Sequence, residues 1–153
     1  MTQIPTTPLQ PKPAYPKEKV QQEHYPQYPG SEIPERLIED ALARNIEIIE
    51  KGLKLAGRQV HLPGVGRIDI LAYDQQGTPV IIEVKRGTAD NSTLTQLLAY
   101  MSRIEEIESK RTRGIIVAEN FTRKLTQAAK PPSNIKLIKI ITKNHKSEIK
   151  EAT

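Results

Sequence analysis

The chain of 153 residues has no cysteine, no tryptophan and a single phenylalanine. Without cysteine it can form neither a disulfide nor a zinc–thiolate site, and a reducing compartment suits it. Scarce aromatics leave no interleaved platform on which single-stranded bases could stack. Long apolar runs are missing too: none approaches the roughly 18 residues that a membrane span needs. The N-terminus lacks the apolar segment of a signal peptide. These absences lead us to expect a soluble, cytoplasmic protein that does not engage a membrane.

Proline is plentiful but unevenly placed. Pro5, Pro8, Pro11, Pro13, Pro16, Pro26, Pro29 and Pro34 account for eight of the twelve. This segment shows neither a helical nor a strand period, so residues 1–30 read as a disordered, polyproline-like arm. Its Pro-x-x-Pro spacings suit a linker, with a docking peptide for a protein partner as the alternative. Lys12, Lys17 and Lys19 balance Glu18, Glu23 and Glu32. The net charge of +5 therefore lies beyond Glu32, within a basic domain over residues 31–143 suited to an anionic partner such as nucleic acid. Ordinary solvation by lysine would give the same charge.

Hydrophobic periodicity gives the order αβββαβαβ, with a charged tail over 144–153 that should fray. Ser31 is a candidate cap for a first helix in which Leu37, Ile38, Ala41, Leu42, Ile46 and Ile49 recur until Gly52. Leu53–Leu62 reads as an edge strand, and Pro63–Gly66 as a turn. Arg67–Asp74 and Pro79–Arg86 form a hairpin around the Gln75–Thr78 turn. Leu94, Leu97, Leu98, Met101, Ile104 and Ile107 mark a second helix. Arg113–Asn120, Phe121–Lys130 and Ile135–Thr142 follow as strand, short helix and strand.

The hairpin carries the chemistry. Centring it on Gln76 puts Asp69 opposite Glu83, and Lys85 then shares their face. The other face is apolar throughout: Ile68, Ile70 and Ala72, with Val80, Ile82 and Val84. That face should pack on helices. Two opposed carboxylates repel each other unless something positive lies between them. Lys85 alone would make a salt-bridged sheet face. A divalent cation such as Mg²⁺ would instead make a hydrolytic site, since it polarises a phosphoryl oxygen and acidifies water that Lys85 can orient or deprotonate. Both readings fit the residues.

"GRID" (Gly66–Asp69), a short hairpin, then "IIEVKRG" (Ile81–Gly87) resembles the acid…Glu-x-Lys signature of the PD-(D/E)XK nuclease superfamily. With the flanking segments Leu37–Gln59 and Ala89–Met101, it is most similar to the NucS-type, RecB-like DNA endonuclease domain over roughly residues 32–120. The resemblance implies a restriction-endonuclease-like α/β fold, a mixed sheet flanked by helices, and a DNA endonuclease of repair, recombination or restriction using Mg²⁺ or Mn²⁺. Asp69 and Glu83 match the metal ligands, joined by the carbonyl of Val84, and Lys85 matches the water-activating lysine. Glu35 matches the acid of the family's first helix, with Glu39 one turn later as its competitor. Gln96 and Tyr100 match the Gln-x-x-x-Tyr of the second helix, where Arg103 shares their face. Arg58, Arg67, Arg86 and Arg103 are candidate phosphate contacts, or else solvated arginines. Double-stranded or branched DNA is the implied partner, and cutting both strands calls for a homodimer. Family members carry a dimerisation and DNA-binding domain where this chain has its proline-rich arm. A non-catalytic nucleic-acid-binding module and a nuclease acting on RNA are the alternatives.

Overall fold

A computed structural model describes residues 33–143 and 146–151. The expected N-terminal arm and the Ser31 cap lie outside these residues. Within them the elements are α1 (Glu35–Arg44), β1 (Lys54–Leu62), β2 (Gly66–Tyr73), β3 (Pro79–Ala89), α2 (Asn91–Glu108), β4 (Arg113–Phe121), α3 (Arg123–Ala128), β5 (Ile135–Lys143) and β6 (Lys146–Glu151). The strands form one sheet in sequence order. β1, β2 and β3 are antiparallel, β3, β4 and β5 parallel, and β6 returns antiparallel to β5. The sheet is therefore mixed, as the α/β reading expected.

Two apolar layers cover it. On one face Ile38 and Leu42 of α1 pack with Ile70, Ala72, Val80, Ile82, Val84, Ile115 and Val117. On the other, Leu97, Tyr100, Met101 and Ile104 of α2 and Leu125 of α3 pack with Leu71, Ile81, Ile116 and Ala118. The β3 strand is buried on both faces over Val80–Val84, so its run of branched apolar residues is what a central strand requires. Each such side chain contributes about 1.5–3 kcal/mol by leaving water.

The hairpin register is the expected one: Ile70 pairs Ile82, Leu71 pairs Ile81 and Ala72 pairs Val80. The turn explains it. Asp74 accepts through its side chain from the N–H groups of Gln76 (3.0 Å) and Thr78 (2.9 Å), and Gly77 takes φ +78°.

Four expectations need correction. The first helix does not continue to Gly52: Asn45 leaves helical geometry, and Ile46–Ile48 form a single 3₁₀ turn. The β-branched run Ile46, Ile48, Ile49 is a poor helix former, yet Ile46 and Ile49 still reach the core. Leu98 and Ile107 lie exposed at 47% and 53%, because the core-facing stripe of α2 runs through Thr93, Leu97, Tyr100, Met101 and Ile104. Ile68 packs in the α2 layer rather than with Ile70. The strand turns over at Asp69, which the β1–β2 ladder skips and the β2–β3 ladder does not reach, opposite Gln59 at φ +49°. Finally, 146–151 pair with β5 as a strand, since the backbone edge of β5 offers a ladder that side-chain patterning does not reveal.

Candidate active site

The site begins where the hairpin ladder stops. Beyond the Ile70–Ile82 pair, side chains replace backbone partners. The Val84 N–H donates to Asp69 Oδ2 at 2.9 Å, and the Asp69 N–H donates to Glu83 Oε1 at 3.3 Å. The strands diverge, and two carboxylates fill the gap. Glu83 is buried, only 3% exposed, while Asp69 is half-buried. Burial, reinforced by the Asp69 charge, pushes the Glu83 carboxyl up to about 8. Burial likewise raises Asp69, with Glu35 adding to the effect. Lys85, half-buried two residues along β3, pulls both the other way but more weakly. A desolvated acid pair of this kind resists carrying two negative charges, and either a bound proton or a nearby cation relieves it.

From α1, two acids approach one turn apart. Glu35 is exposed, and its Oε2 accepts from the Arg86 N–H at 3.1 Å, which holds it over the end of β3. Glu39 is buried at 5% exposure. Its Oε1 accepts from Arg58 Nη2 (3.2 Å) and Gln59 Nε2 (3.0 Å), and its Oε2 from Gln59 Nε2 (2.9 Å). Burial raises its pKa, and the Asp69 charge contributes. Arg58 also bridges to Asp40. Its guanidinium is thus directed into α1, away from the solvent-facing phosphate contact envisaged for it.

On the opposite layer, Tyr100 is buried, and its Oη accepts from the Arg67 N–H at 3.3 Å. Its ring lies against Gly66, where a Cβ would stand 2.5 Å from Oη. The glycine of "GRID" is there to admit this ring. Gln96, one turn earlier on α2, is exposed, and Arg103 pairs with Glu106 at 3.0 Å. The shared helix face is thus divided between one buried residue, one exposed and one ion-paired. Arg67 and Arg86 are exposed beside the acids. The Val84 side chain points into the α1 layer, leaving only its backbone at the site.

Among the described residues, no three His, Asp or Glu side chains already converge as a metal cage. Asp69, Glu83 and Glu35 are each turned onto a backbone N–H instead. Their chemistry nonetheless fits a hard divalent cation: all donors are oxygen, and a cation between Asp69 and Glu83 would relieve their mutual repulsion. Two partners escaped the sequence reading. Gln59 holds Glu39, and Glu119 accepts from the Gly87 N–H at 3.2 Å. The signal for the second was a glycine inside a strand, a usual mark of a bulge.

A mixed sheet between helices, with an Asp on one hairpin strand meeting Glu-x-Lys on the next, defines a nuclease fold of the PD-(D/E)XK class. The chain belongs to the Endonuclease NucS C-terminal domain family, whose sequence model matches residues 34–153. Endonuclease NucS of Methanopyrus kandleri is 36% identical over 75 residues, 49% of this chain and 28% of that protein. The Pyrococcus furiosus Endonuclease NucS is 32% identical over 83 residues, 54% of this chain and 31% of that one. Among solved structures, a repair endonuclease from Pyrococcus abyssi superposes with a TM-score of 0.63 at 25% identity, covering 73% of this chain and 49% of that one. EndoMS in its dsDNA2 complex gives 0.59 at 28% identity, covering 67% and 44%. The matches thus span less than half of each relative's length.

Proposed function

We propose that this chain is a divalent-metal-dependent endonuclease that hydrolyses phosphodiester bonds in double-stranded or branched DNA, in a repair role inside the cell. The carrying observation is buried Glu83 meeting half-buried Asp69 at the divergence of the β2–β3 hairpin, with Lys85 beside them. Membership of the NucS C-terminal family and the likeness to a DNA-bound EndoMS support the reading.

Asp69, Glu83 and the Val84 carbonyl would hold Mg²⁺ or Mn²⁺. Glu35 completes the set better than Glu39, because Glu39 has both oxygens engaged by Arg58 and Gln59. Bound there, the cation supplies charge that polarises the phosphoryl oxygen and acidifies the attacking water. Lys85 Nζ orients that water and takes or relays its proton. Tyr100 fixes the start of β2 through the Arg67 N–H, and so fixes Asp69 two residues on. Exposed Arg67 and Arg86, with Gln96 on the rim, hold the DNA backbone. Arg103 and Arg58 would have to give up carboxylate partners to do so. A single site makes one incision, so cutting both strands takes two copies.

The test is cleavage of plasmid, duplex and branched DNA, with RNA alongside, in Mg²⁺ or Mn²⁺, comparing wild type with Glu83→Ala. Metal-dependent cleavage that the variant lacks is expected. Equal activity in both, or none in either under any metal, would refute the assignment. Chelator-insensitive binding without cleavage would favour a binding module instead.

A further inference from the structure

Lys85 is followed at once by an irregularity. Lys85 pairs with Ala118 and Thr88 with Asn120, so β3 carries one residue more than β4 across this interval. The excess is a β-bulge at Arg86–Gly87, opposite Glu119. Gly87 adopts φ +77°, and a Cβ there would meet nothing within 4 Å. The glycine is therefore needed for its backbone conformation and not for room.

A bulge takes its N–H groups out of the ladder, and they need other acceptors. Here both acceptors are carboxylates from different elements. The Arg86 N–H donates to Glu35 of α1 at 3.1 Å, and the Gly87 N–H donates to Glu119 of β4 at 3.2 Å. Ile115 and Val117 face the α1 layer, so strand alternation brings Glu119 out on that face, towards α1. The two acids differ in what else they can do. Glu35 would be drawn towards a cation held by Asp69 and Glu83, leaving the Arg86 N–H. Glu119 lies on β4, outside the Asp69, Glu83 and Glu35 set, and its carboxylate is turned onto the Gly87 N–H.

We propose that Glu119 is a positioning residue for the reaction: its carboxylate anchors the Gly87 N–H, and so sets the bulge that aims Lys85. The inference rests on the nuclease reading above, and it adds a residue outside the acid, Glu-x-Lys pattern. Because a bulge re-aims the side chains beside it, the anchor decides where Lys85 Nζ lies relative to the attacking water. A displacement of about 1 Å there is enough to cost about a hundredfold in rate.

The experiment compares wild type, Glu119→Ala and Glu119→Gln in the full chain, on one duplex, under single-turnover conditions with Mg²⁺. Duplex affinity is measured with Ca²⁺ in place of Mg²⁺, and amide exchange of Gly87 by NMR. For Glu119→Ala we expect a rate about tenfold or more below wild type, unchanged affinity and melting temperature, and faster Gly87 exchange. Glu119→Gln, which keeps an oxygen acceptor, should restore most of the rate. Glu119→Ala cleaving at the wild-type rate would overturn the inference while leaving the nuclease reading intact. So would an unchanged Gly87 amide, failure of glutamine to rescue, or a loss matched by equal losses of affinity and melting temperature. A wild type that cleaves nothing would sink the nuclease reading and this inference with it.

Discussion

Gly66→Ala tests the packing that ties the active hairpin to α2. A Cβ at Gly66 would stand 2.5 Å from Tyr100 Oη, 2.7 Å from Cε1 and 3.0 Å from Cζ, whereas ordinary contact begins at 3.4 Å. The ring must therefore retreat by nearly 1 Å, and at 3% exposure it has nowhere to go. Such overpacking costs about 2 kcal/mol. Gly66 also sits at φ +151°, a conformation that alanine resists, at about 1 kcal/mol more. The sum, about 3 kcal/mol, should lower the melting temperature by roughly 10 °C. Urea unfolding followed by circular dichroism would measure it. The decisive control is the same substitution in a Tyr100→Leu background. There the ring is gone, and only the backbone part of the cost should remain, giving a coupling of about 2 kcal/mol. If the two substitutions are instead additive to within about 0.5 kcal/mol, the contact does not govern this region and the reasoning fails. Cleavage should fall with stability, because the displaced strand carries Asp69.

Glu35 and Glu39 should separate cleanly. Glu35→Ala alters an exposed side chain and should change stability by no more than about 0.5 kcal/mol while abolishing most cleavage. Glu39→Ala removes the acceptor of Arg58 and Gln59, and should cost about 1–3 kcal/mol in urea unfolding. The reverse pattern would make Glu39 the reactive acid. At the far end of the sheet, Arg113 forks onto Glu50 (2.5 and 2.8 Å) and reaches Asp74 at 3.2 Å. The Arg113 hydrogen bond lowers the Glu50 pKa below 4.5. The stabilisation is thus full above that value and is lost as pH falls through the lowered one. Arg113→Ala should be destabilised relative to wild type at pH 7 by about 1–3 kcal/mol, with the gap closing as pH falls through the lowered Glu50 pKa. A gap that stays constant with pH would show that the pair does not carry the stabilisation.

Strand alternation and turn chemistry are local properties, so they are legible in a linear pattern. The alternation of Val80, Ile82 and Val84 against Ile81 and Glu83 assigned every residue of that strand to a face. The Gln75–Thr78 turn with its Gly77, centred on Gln76, gave the register. Together they put Asp69 opposite Glu83; the ladder in fact ends at Ile70–Ile82, and the two acids meet beyond it through side chain–backbone hydrogen bonds. Features that depend on a partner distant in the chain were not legible. Nothing local says that β2 turns over at Asp69, since that follows from Gln59 on the neighbouring strand adopting a left-handed backbone. Nor does it say that β5 has an open edge for residues 146–151.

The acids show the same division. That Glu35 and Glu39 lie one turn apart on a helix is a matter of 3.6-residue spacing. Which of them keeps an oxygen for the site depends on Arg58 and Gln59, about twenty residues away and on another element. Sequence by itself determined the hairpin, its apolar faces and the acid, Glu-x-Lys order, because each is set by side chains within a few residues. Tertiary structure alone decided which donor each carboxylate accepts from and which charges are buried. Hydrogen bonding and desolvation act through space, and only the packed layers bring α1, the β3 bulge and Glu119 within reach of one another.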